Sequence, residues 1–212
     1  MGLARPRQAI SRLRVRVPKR NIVPLSVNEV ARFWSSFRTS RDLAIVGVML
    51  LHGLRSAEVM ALNRDDVLLA EAQLRVRGKG NKLRFLPLAP ETTQLLDHYL
   101  RLERPQLSTA ALFVVLKGRA RGIRMTSAGL RSLFRYHRQT TGIQLANPHR
   151  FRHTFASDMV RAGISLPALM QLMGHADIQT TLRYVQVTPQ DVYLQYARAV
   201  AQRIRPLPET CL

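Results

Sequence analysis

The sequence predicts a mainly α fold with a small antiparallel β-sheet, which is an α+β architecture. Apolar residues recur with helical periodicity over most of the chain after residue 25. The exception lies between Asp66 and Leu88, where apolar and charged residues alternate around the turn GKGN, as they do in a β-hairpin. A chain of 212 residues with 46% hydrophobic content can bury a sizeable core. We therefore expect a folded, globular chain.

The first helix is predicted in the segment SVNEVARFWSSF, where Ser26 and Glu29 have the spacing of a capping box. The apolar residues of this segment share one helical stripe: Val30, Phe33, Trp34 and Phe37. The run LAIVGVMLL, residues 43–51, predicts a second, more buried helix that stops near Gly53. It is far shorter than the roughly 20 residues that span a bilayer. The segment SAEVMALN predicts a third helix that continues to Asn63.

Helical patterns resume after the hairpin in PETTQLLDHYLRLE, TSAGLRSLFRYHRQTTG, PHRFRHTFASDMVRAG and SLPALMQLMG. Pro148 stands in the first turn of the third of these segments, and Gly163 is a natural stop for it. The segments DIQTTLRYVQV and PQDVYLQYARAVAQRI predict the last two helices. We divide the chain into a basic N-terminal arm or linker (1–20), a main domain (21–188) and a C-terminal helix with its tail (189–212).

The chain is strongly basic, with 33 Lys and Arg against 13 acidic residues and a formal charge of +20. Self-repulsion makes such a charge costly unless a polyanion is the usual partner, so nucleic acid is the leading candidate and an anionic membrane surface the second. The arm holds no acidic residue; it could be a solubilising tail, but we expect it to contact phosphates. We assign DNA contacts to Arg12, Arg14, Arg16, Lys19, Arg20, Lys82 and Arg150.

Cysteine usage bears on the compartment and on metal binding. Cys211 is the only cysteine, so neither an internal disulfide nor a cluster of thiolate ligands can form. His149 and His153 have a spacing that could hold a metal on a helix, but the carboxylates or cysteines that would complete such a site are missing nearby. We expect a reducing, cytoplasmic compartment and no bound metal.

Arg55 and Lys79 are candidate site residues with plain structural alternatives. Arg55 begins a helix in HGLRSAEV, where the helix dipole disfavours a cation, so it needs a carboxylate partner or a bound anion. Glu58 lies three residues later on the same helical face and could supply that carboxylate. Lys79 stands between two glycines at the hairpin tip. It could be an ordinary exposed lysine, or the hairpin could bring it to an active site as a proton donor.

Two later segments offer further candidates. PHRFRHTF places His149, Arg150 and Arg152 close together, and an arginine fork beside an imidazole suits a phosphate. LMGHADIQTTLRY fits a DNA-reading helix-turn-helix only loosely. Tyr184 follows His175 in this segment, and a tyrosine becomes a nucleophile where cations stabilise its phenolate or a base takes its proton.

Together these segments resemble the catalytic domain of the tyrosine recombinase or phage integrase family. The resemblance covers roughly residues 23–200 and includes HGLRSAE, GKG, HRFRHTFAS, MGH and TTLRYV, in that order. Each motif is weak alone, but five in the right order among the right elements are specific. The resemblance implies the catalytic domain fold of this family and its activity, site-specific recombination of DNA.

The resemblance also implies roles for individual residues at a scissile phosphate. Arg55 and Arg152 would bind the non-bridging oxygens and His175 would donate a further hydrogen bond, which stabilises developing charge. Glu58 would hold Arg55 in place.

The remaining roles concern bond making and proton transfer. Tyr184 would attack the phosphate, giving a 3′-phosphotyrosine and a free 5′-hydroxyl. Lys79 would protonate the leaving 5′ oxygen, and His149 would act as the base or proton shuttle. Because one phosphate ester is exchanged for another of similar energy, the reaction implied by the resemblance needs no metal, ATP or other cofactor.

For partners, the resemblance implies double-stranded DNA, a homotetramer on that DNA, accessory DNA-binding proteins and no membrane. The C-terminal helix would dock on a neighbouring protomer, although it could equally fold back on its own domain. Members usually carry an N-terminal domain that clamps DNA, and here we expect only the basic arm before the catalytic part, so that the grip on DNA is weaker or is supplied by another chain. Such an enzyme would work in the cytoplasm of a bacterium, associated with the nucleoid when bound to DNA.

Two rival functions stay open. A type IB topoisomerase would have a similar site, but the compact HxxR box and the short C-terminal tail argue against it. A non-catalytic DNA-binding remnant of a recombinase would keep the basic charge but would not cleave DNA. All six catalytic positions hold competent residue types, which favours the enzyme over the remnant.

Overall fold

A computed structural model describes residues 23–175 and Thr181. This part of the chain is mostly helical and carries one small antiparallel sheet, as the sequence predicts. Its α-helices are α1 (Val27–Ser35), α2 (Ser40–Leu50), α3 (Ser56–Ala61), α4 (Pro90–His98), α5 (Ser127–Thr141), α6 (Pro148–Arg161) and α7 (Leu166–Met173). The strands are β1 (Val67–Leu68), β2 (Gln73–Arg77) and β3 (Leu83–Pro87). A π-helical turn, Tyr99–Glu103, extends α4.

The predicted capping box at the start of α1 is confirmed. The carboxylate of Glu29 accepts a hydrogen bond from the backbone N–H of Ser26 at 2.8 Å, and the Ser26 hydroxyl accepts one from the Glu29 N–H at 3.3 Å. The helix ends at Ser35, so Phe37 lies beyond it, although Phe37 is still buried. α3 is also shorter than predicted, because Leu62 leaves the helical region with ψ at 139°.

The predicted hairpin is formed by β2 and β3, with Gln73 opposite Pro87 and Arg77 opposite Leu83. At its turn, the Gly78 N–H donates to the Lys82 carbonyl at 2.8 Å. The sequence did not predict β1, which pairs with β2 on the far side from β3. A strand of two residues is too short to show an alternating pattern.

The core is built around α2, whose apolar residues between Ala44 and Met49 are fully buried. The rings of Phe33, Phe134 and Phe151 pack against one another, with centroids 5.2 to 5.6 Å apart, and join α1, α5 and α6. A smaller cluster binds α7 to α6. This packing brings the start of α6 and the end of α7 to the same side of the molecule as α3.

None of the helices between residues 23 and 175 combines the length and the apolar character that crossing a membrane requires. Several sequence predictions fall outside the described residues. These are the arm (1–20), the C-terminal helix (189–212), and, apart from Thr181, the helix predicted in DIQTTLRYVQV.

Candidate active site

Three parts of the fold bring one candidate cationic or imidazole side chain each to the same place. Arg55 is the N-cap of α3, Arg152 lies in the first half of α6, and His175 directly follows α7. Two glycines with positive φ shape the backbone here, Gly53 at +67° and Gly174 at +61°. Glycine adopts this left-handed conformation without the steric cost of a side chain, which allows the chain to turn sharply at both points.

Glu58 is the buried carboxylate at the centre of this cluster. Its Oε1 accepts from Arg55 Nη1 at 2.9 Å, and its Oε2 accepts from the Arg55 backbone N–H at 2.8 Å. Arg84, on β3, donates to both oxygens at 2.9 and 3.0 Å. Burial would raise the pKa of Glu58, but the hydrogen bonds from Arg84 and Arg55 outweigh it and keep that pKa below its ordinary value. Glu58 is therefore ionised at neutral pH.

Arg152 is almost fully buried beside this carboxylate. Its Nη1 lies 3.8 Å from Glu58 Oε2 and donates to the Gly53 carbonyl, while its Nη2 donates to the Met173 carbonyl at 2.7 Å. The same Nη2 lies 2.8 Å from Nε2 of His175. Arg152 thus joins α6 to the loop before α3 and to the end of α7.

His175 is held from both ring nitrogens. A guanidinium can only donate, so Nε2 of His175 accepts from Arg152, and the proton of the neutral ring lies on Nδ1. That nitrogen is 2.8 Å from Thr181 Oγ1, which accepts the proton's hydrogen bond. Burial lowers the pKa of His175 to about 4, helped by the positive charges of Arg152, Arg55 and Arg84. The ring is neutral at physiological pH.

His149 and His153 form a pair on the first turns of α6, with their Nε2 atoms 2.8 Å apart. One of these nitrogens must carry the proton of the shared hydrogen bond and the other must accept it. Desolvation, with the charges of Arg152 and Arg150, lowers the pKa of His149, so its neutral form is favoured. Across residues 23–175 and Thr181, no three His, Cys, Asp or Glu side chains are grouped as around a metal ion.

Other predicted residues lie on the first turn of α6 and in the hairpin. Arg150 donates to the carbonyl of Val23. Lys82 is exposed on the hairpin. Lys79 begins the hairpin turn directly after Gly78, where an added Cβ would lie 3.8 Å from Glu58 Oε1. The backbone of the hairpin tip is therefore adjacent to the cluster.

Arg84 and Thr181 belong to the site but were not predicted. Arg84 looked like one of several charged positions in an alternating strand, and only its inward-facing register on β3 could have drawn attention to it. Thr181 is fully buried against His175, three residues before Tyr184 in the sequence. Tyr184 itself lies outside the described residues, as do Arg12, Arg14, Arg16, Lys19 and Arg20.

Residues 24–191 match the model of the phage integrase family, which is well over half of the 212-residue chain. The chain belongs to the phage integrase family. The resemblance predicted from the five motifs is thereby confirmed.

Relatives of this integrase-family chain include the tyrosine recombinase XerD of Listeria monocytogenes serotype 4b, which is 34% identical over 184 residues. The tyrosine recombinase XerC of Herpetosiphon aurantiacus is 36% identical over 163 residues. These alignments cover 81% and 77% of this chain. The chain spans 61% of the length of the XerD and 53% of the length of the XerC.

Solved structures agree with the family assignment. The crystal structure of XerA recombinase superposes with a TM-score of 0.71 at 31% identity, covering 90% of this chain and 68% of that one. The Tn1549 transposon integrase in complex with circular intermediate DNA gives a TM-score of 0.70, covering 86% of this chain and 68% of that one. It is 21% identical, so its likeness shows the fold alone.

Proposed function

We propose that this chain carries the catalytic domain of a site-specific recombinase that cleaves and rejoins double-stranded DNA through a 3′-phosphotyrosine. The observation that carries the proposal is the meeting of Arg55, Arg152 and His175 around Glu58, with Thr181 against His175. Family membership and the resemblance to Xer recombinases support it. The Tn1549 transposon integrase, which has the same fold, was solved in complex with circular intermediate DNA, and this supports DNA as the partner.

The electrostatics of the cluster suit a phosphodiester. One carboxylate, Glu58, offsets only part of the charge of three guanidiniums, so the cluster stays cationic. Arg55 is the more exposed of the two arginines expected to bind phosphate oxygens, with 38% of its side chain accessible. Fixed donors of this kind stabilise charge that develops on phosphate oxygens without reorganising in the reaction.

His175 has to change its hydrogen bonding to serve the phosphate. Its Nε2 accepts from Arg152 in this structure, and its N–H is directed to Thr181. When Arg152 turns to a phosphate oxygen, Nε2 loses its donor and can take up a proton, because the phosphate adds negative charge beside it. His175 then donates to the phosphate as the family resemblance implies.

The strand cleavage exchanges one phosphate ester for another. The Tyr184 oxygen forms a bond to phosphorus, and the bond from phosphorus to the 5′ oxygen breaks. The tyrosine proton passes to His149, whose lowered pKa keeps it neutral and able to accept one. The leaving 5′ oxygen takes a proton from Lys79. Rejoining is the reverse reaction with a 5′-hydroxyl as the attacking group.

The sequence supports the placement of Tyr184. If the helix predicted in DIQTTLRYVQV forms, residues three apart share a face, and Tyr184 lies on the same face as Thr181. Because Thr181 contacts His175, that face is directed to the cluster.

The wider organisation is proposed from the sequence. Residues 21–188 form the catalytic unit, the arm (1–20) contacts DNA phosphates, and the C-terminal helix (189–212) docks on a neighbouring protomer of a tetramer. Accessory DNA-binding proteins set the direction of recombination. An enzyme of this kind works on the DNA of the bacterial cytoplasm.

The test is covalent capture of DNA. The protein is incubated with a pool of nicked duplexes that carry a randomised central segment, and DNA that stays attached to protein under denaturing conditions is recovered. We expect an adduct with wild type and none with Tyr184→Phe. Tyr136→Phe, at an exposed tyrosine on α5, is the matched control and should form the adduct normally.

The same experiment separates the rivals. An adduct that survives Tyr184→Phe contradicts the role of that residue. Relaxation of supercoiled plasmids irrespective of sequence would identify a topoisomerase. Salt-sensitive binding with no adduct from any duplex of the pool would identify a non-catalytic DNA-binding protein.

A further inference from the structure

Arg84 is a partly buried arginine on β3 that makes more contacts with the site than its position in the sequence suggests. Both of its terminal nitrogens donate to Glu58, one to each oxygen, at 2.9 and 3.0 Å. Its Nε donates to the carbonyl of Leu172, near the end of α7, at 3.0 Å. The side chain is only 10% accessible. A planar guanidinium fits a carboxylate in this two-pronged geometry, which an ammonium cannot reproduce.

The guanidinium of Arg84 lies in a space left open by two glycines. A Cβ added to Gly174 would stand 2.8 Å from Arg84 Nη1, and one added to Gly78 would stand 3.3 Å from the same atom. Gly78 starts the hairpin turn and Gly174 ends α7. The arginine is therefore packed between the backbone before Lys79 and the backbone before His175.

Arg75, on the neighbouring strand, shows what an ordinary strand arginine does in this fold. It forms one salt bridge, to Asp66 at 2.8 Å, and 34% of its side chain is accessible. Its contacts involve residues 65 and 66, away from the catalytic cluster. Arg84 differs because it bridges β3, α3 and the end of α7.

We propose that Arg84 is a positioning residue for strand cleavage: it fixes the Glu58 carboxylate and the end of α7, and through them the groups that bind the phosphate. The proposal rests on the function proposed above. Arg84 does not itself reach the reacting atoms; it acts through Arg55 and His175.

The physical reason is the shared use of one carboxylate. Without Arg84, Glu58 could rotate toward Arg55 alone or toward Arg152 alone. The other of these two guanidiniums would then lose the orientation needed to bind a phosphate oxygen. The end of α7 would also lose the donor to the Leu172 carbonyl, so Gly174 and His175 would be less well placed. Misplacement of such groups by about 1 Å can lower the reaction rate about 100-fold, whereas affinity for DNA comes from many phosphate contacts and should change little.

The main test compares Arg84 with Arg75 in the full chain. Arg84→Lys keeps the charge and Arg84→Gln removes it, while Arg75→Lys and Arg75→Gln are the matched controls. The probe is the DNA pool recovered as covalent adducts with wild type. We expect both Arg84 variants to lower the single-turnover rate of adduct formation roughly 10- to 100-fold, as supporting residues of a site commonly do, with little change in Kd for DNA. The Arg75 variants should react like wild type.

Two further measurements separate positioning from loss of folding. If Arg84 acts in part through Glu58, the double variant Glu58→Gln with Arg84→Gln should lose less rate than the two single losses combined. Arg84→Ala should be partly restored by added guanidinium chloride at concentrations that do not unfold the protein, since the space between the two glycines accepts the free ion.

The outcomes are distinct. Arg84 variants that form the adduct at the wild-type rate, or a double variant whose losses simply add, overturn the positioning role and leave the proposed function standing. A wild-type protein that forms no adduct with any duplex overturns the proposed function, and this inference with it.

Discussion

Glu58 accepts hydrogen bonds from two arginine side chains and lies 3.8 Å from a third, with 5% of its side chain accessible. A buried charge is tolerated only where partners compensate for its lost hydration. Here the relation is mutual, because Arg55, Arg84 and Arg152 would repel one another without the carboxylate. The residue that the family resemblance assigns to holding Arg55 therefore supports the whole cationic cluster.

Glu58→Gln keeps the shape of the side chain and removes its charge. We expect the free energy of unfolding to fall by about 3 kcal/mol, because breaking a buried ion pair leaves the partner charges uncompensated. Urea denaturation without DNA measures the change. Glu71→Gln, at an exposed glutamate in the turn before β2, is the control and should unfold like wild type. Equal stability of the two variants would contradict the central role of Glu58.

His52 predicts a pH dependence of stability. It is buried, its Nε2 lies 2.9 Å from Thr92 Oγ1, and burial lowers its pKa to about 4. In the unfolded chain the pKa is about 6.5, so the fold favours the neutral ring. The resulting stability is fully present above pH 6.5 and is lost as the pH falls toward 4. His175 contributes in the same direction, since its pKa is lowered to about 4 as well.

We expect His52→Gln to be less stable at pH 7.5 but to lose less stability on acidification. Between pH 4 and 6.5, the free energy of unfolding should change with pH more steeply in wild type than in the variant. The difference in slope should be up to about 1.4 kcal/mol per pH unit, the value for one proton. Urea denaturation at several pH values gives both slopes. Identical slopes would show that His52 does not take up its proton on unfolding.

At the scale of elements, the ends of helices build the site. Asn147 caps α6 by accepting from the Arg150 N–H at 3.0 Å, which sets the first turns that carry His149 and Arg152. Gly174 ends α7 in the left-handed region and gives space to Arg84. Where an element stops therefore matters as much for the site as the residues that it carries.

Gly174→Ala tests the end of α7. Alanine pays about 1 to 2 kcal/mol for a left-handed backbone, and here its Cβ would also displace Arg84. Gly118→Ala is the matched control, because Gly118 has φ at +75° with open space around an added Cβ. We expect similar backbone strain in both variants, a larger loss of unfolding free energy in Gly174→Ala, and slower adduct formation in that variant alone. Equal effects would mean that the backbone, and not Arg84, limits position 174.

For the whole molecule, the net charge of +20 favours a polyanionic partner and makes the proposed binding to DNA depend on salt. Each phosphate contact releases counterions, so binding weakens steeply as salt rises. We expect Arg12, Arg14 and Arg16 replaced together by serine to lower the slope of log Kd against log salt by up to about 3, because each contact contributes about 0.9. Fluorescence anisotropy with a labelled duplex measures this slope. An unchanged slope would mean that the arm does not contact phosphates.

Much of the fold could be predicted because its signals are local. The capping box at Ser26, the buried run of α2 and the hairpin of β2 and β3 all follow from residues close together in the chain. The errors have local causes too. Strand β1, with two residues, was too short for an alternating pattern, and α3 ends two residues before Asn63 because Leu62 leaves the helical region with ψ at 139°.

The sequence predicted which residues form much of the candidate site, but not which hydrogen bonds they make. The motifs named Arg55, Arg152 and His175, since family motifs are recognised by residue type and order. They did not show that the Nδ1–H of His175 is directed to Thr181, because the tautomer of a histidine depends on the groups around its ring. Nor did they show that His149 shares a proton with His153.

The sequence by itself determined the order of the elements, the basic charge, the five motifs and the family, because these depend on periodicity, composition and residue order. Only the tertiary structure decided which charges share Glu58. Arg84 is 26 positions from Glu58, and Arg152 is 23 positions from His175. Such contacts arise from the pairing register of β3 with β2 and from the packing of α6 and α7 on the core. The spacing of residues along the chain does not encode which of them meet in space.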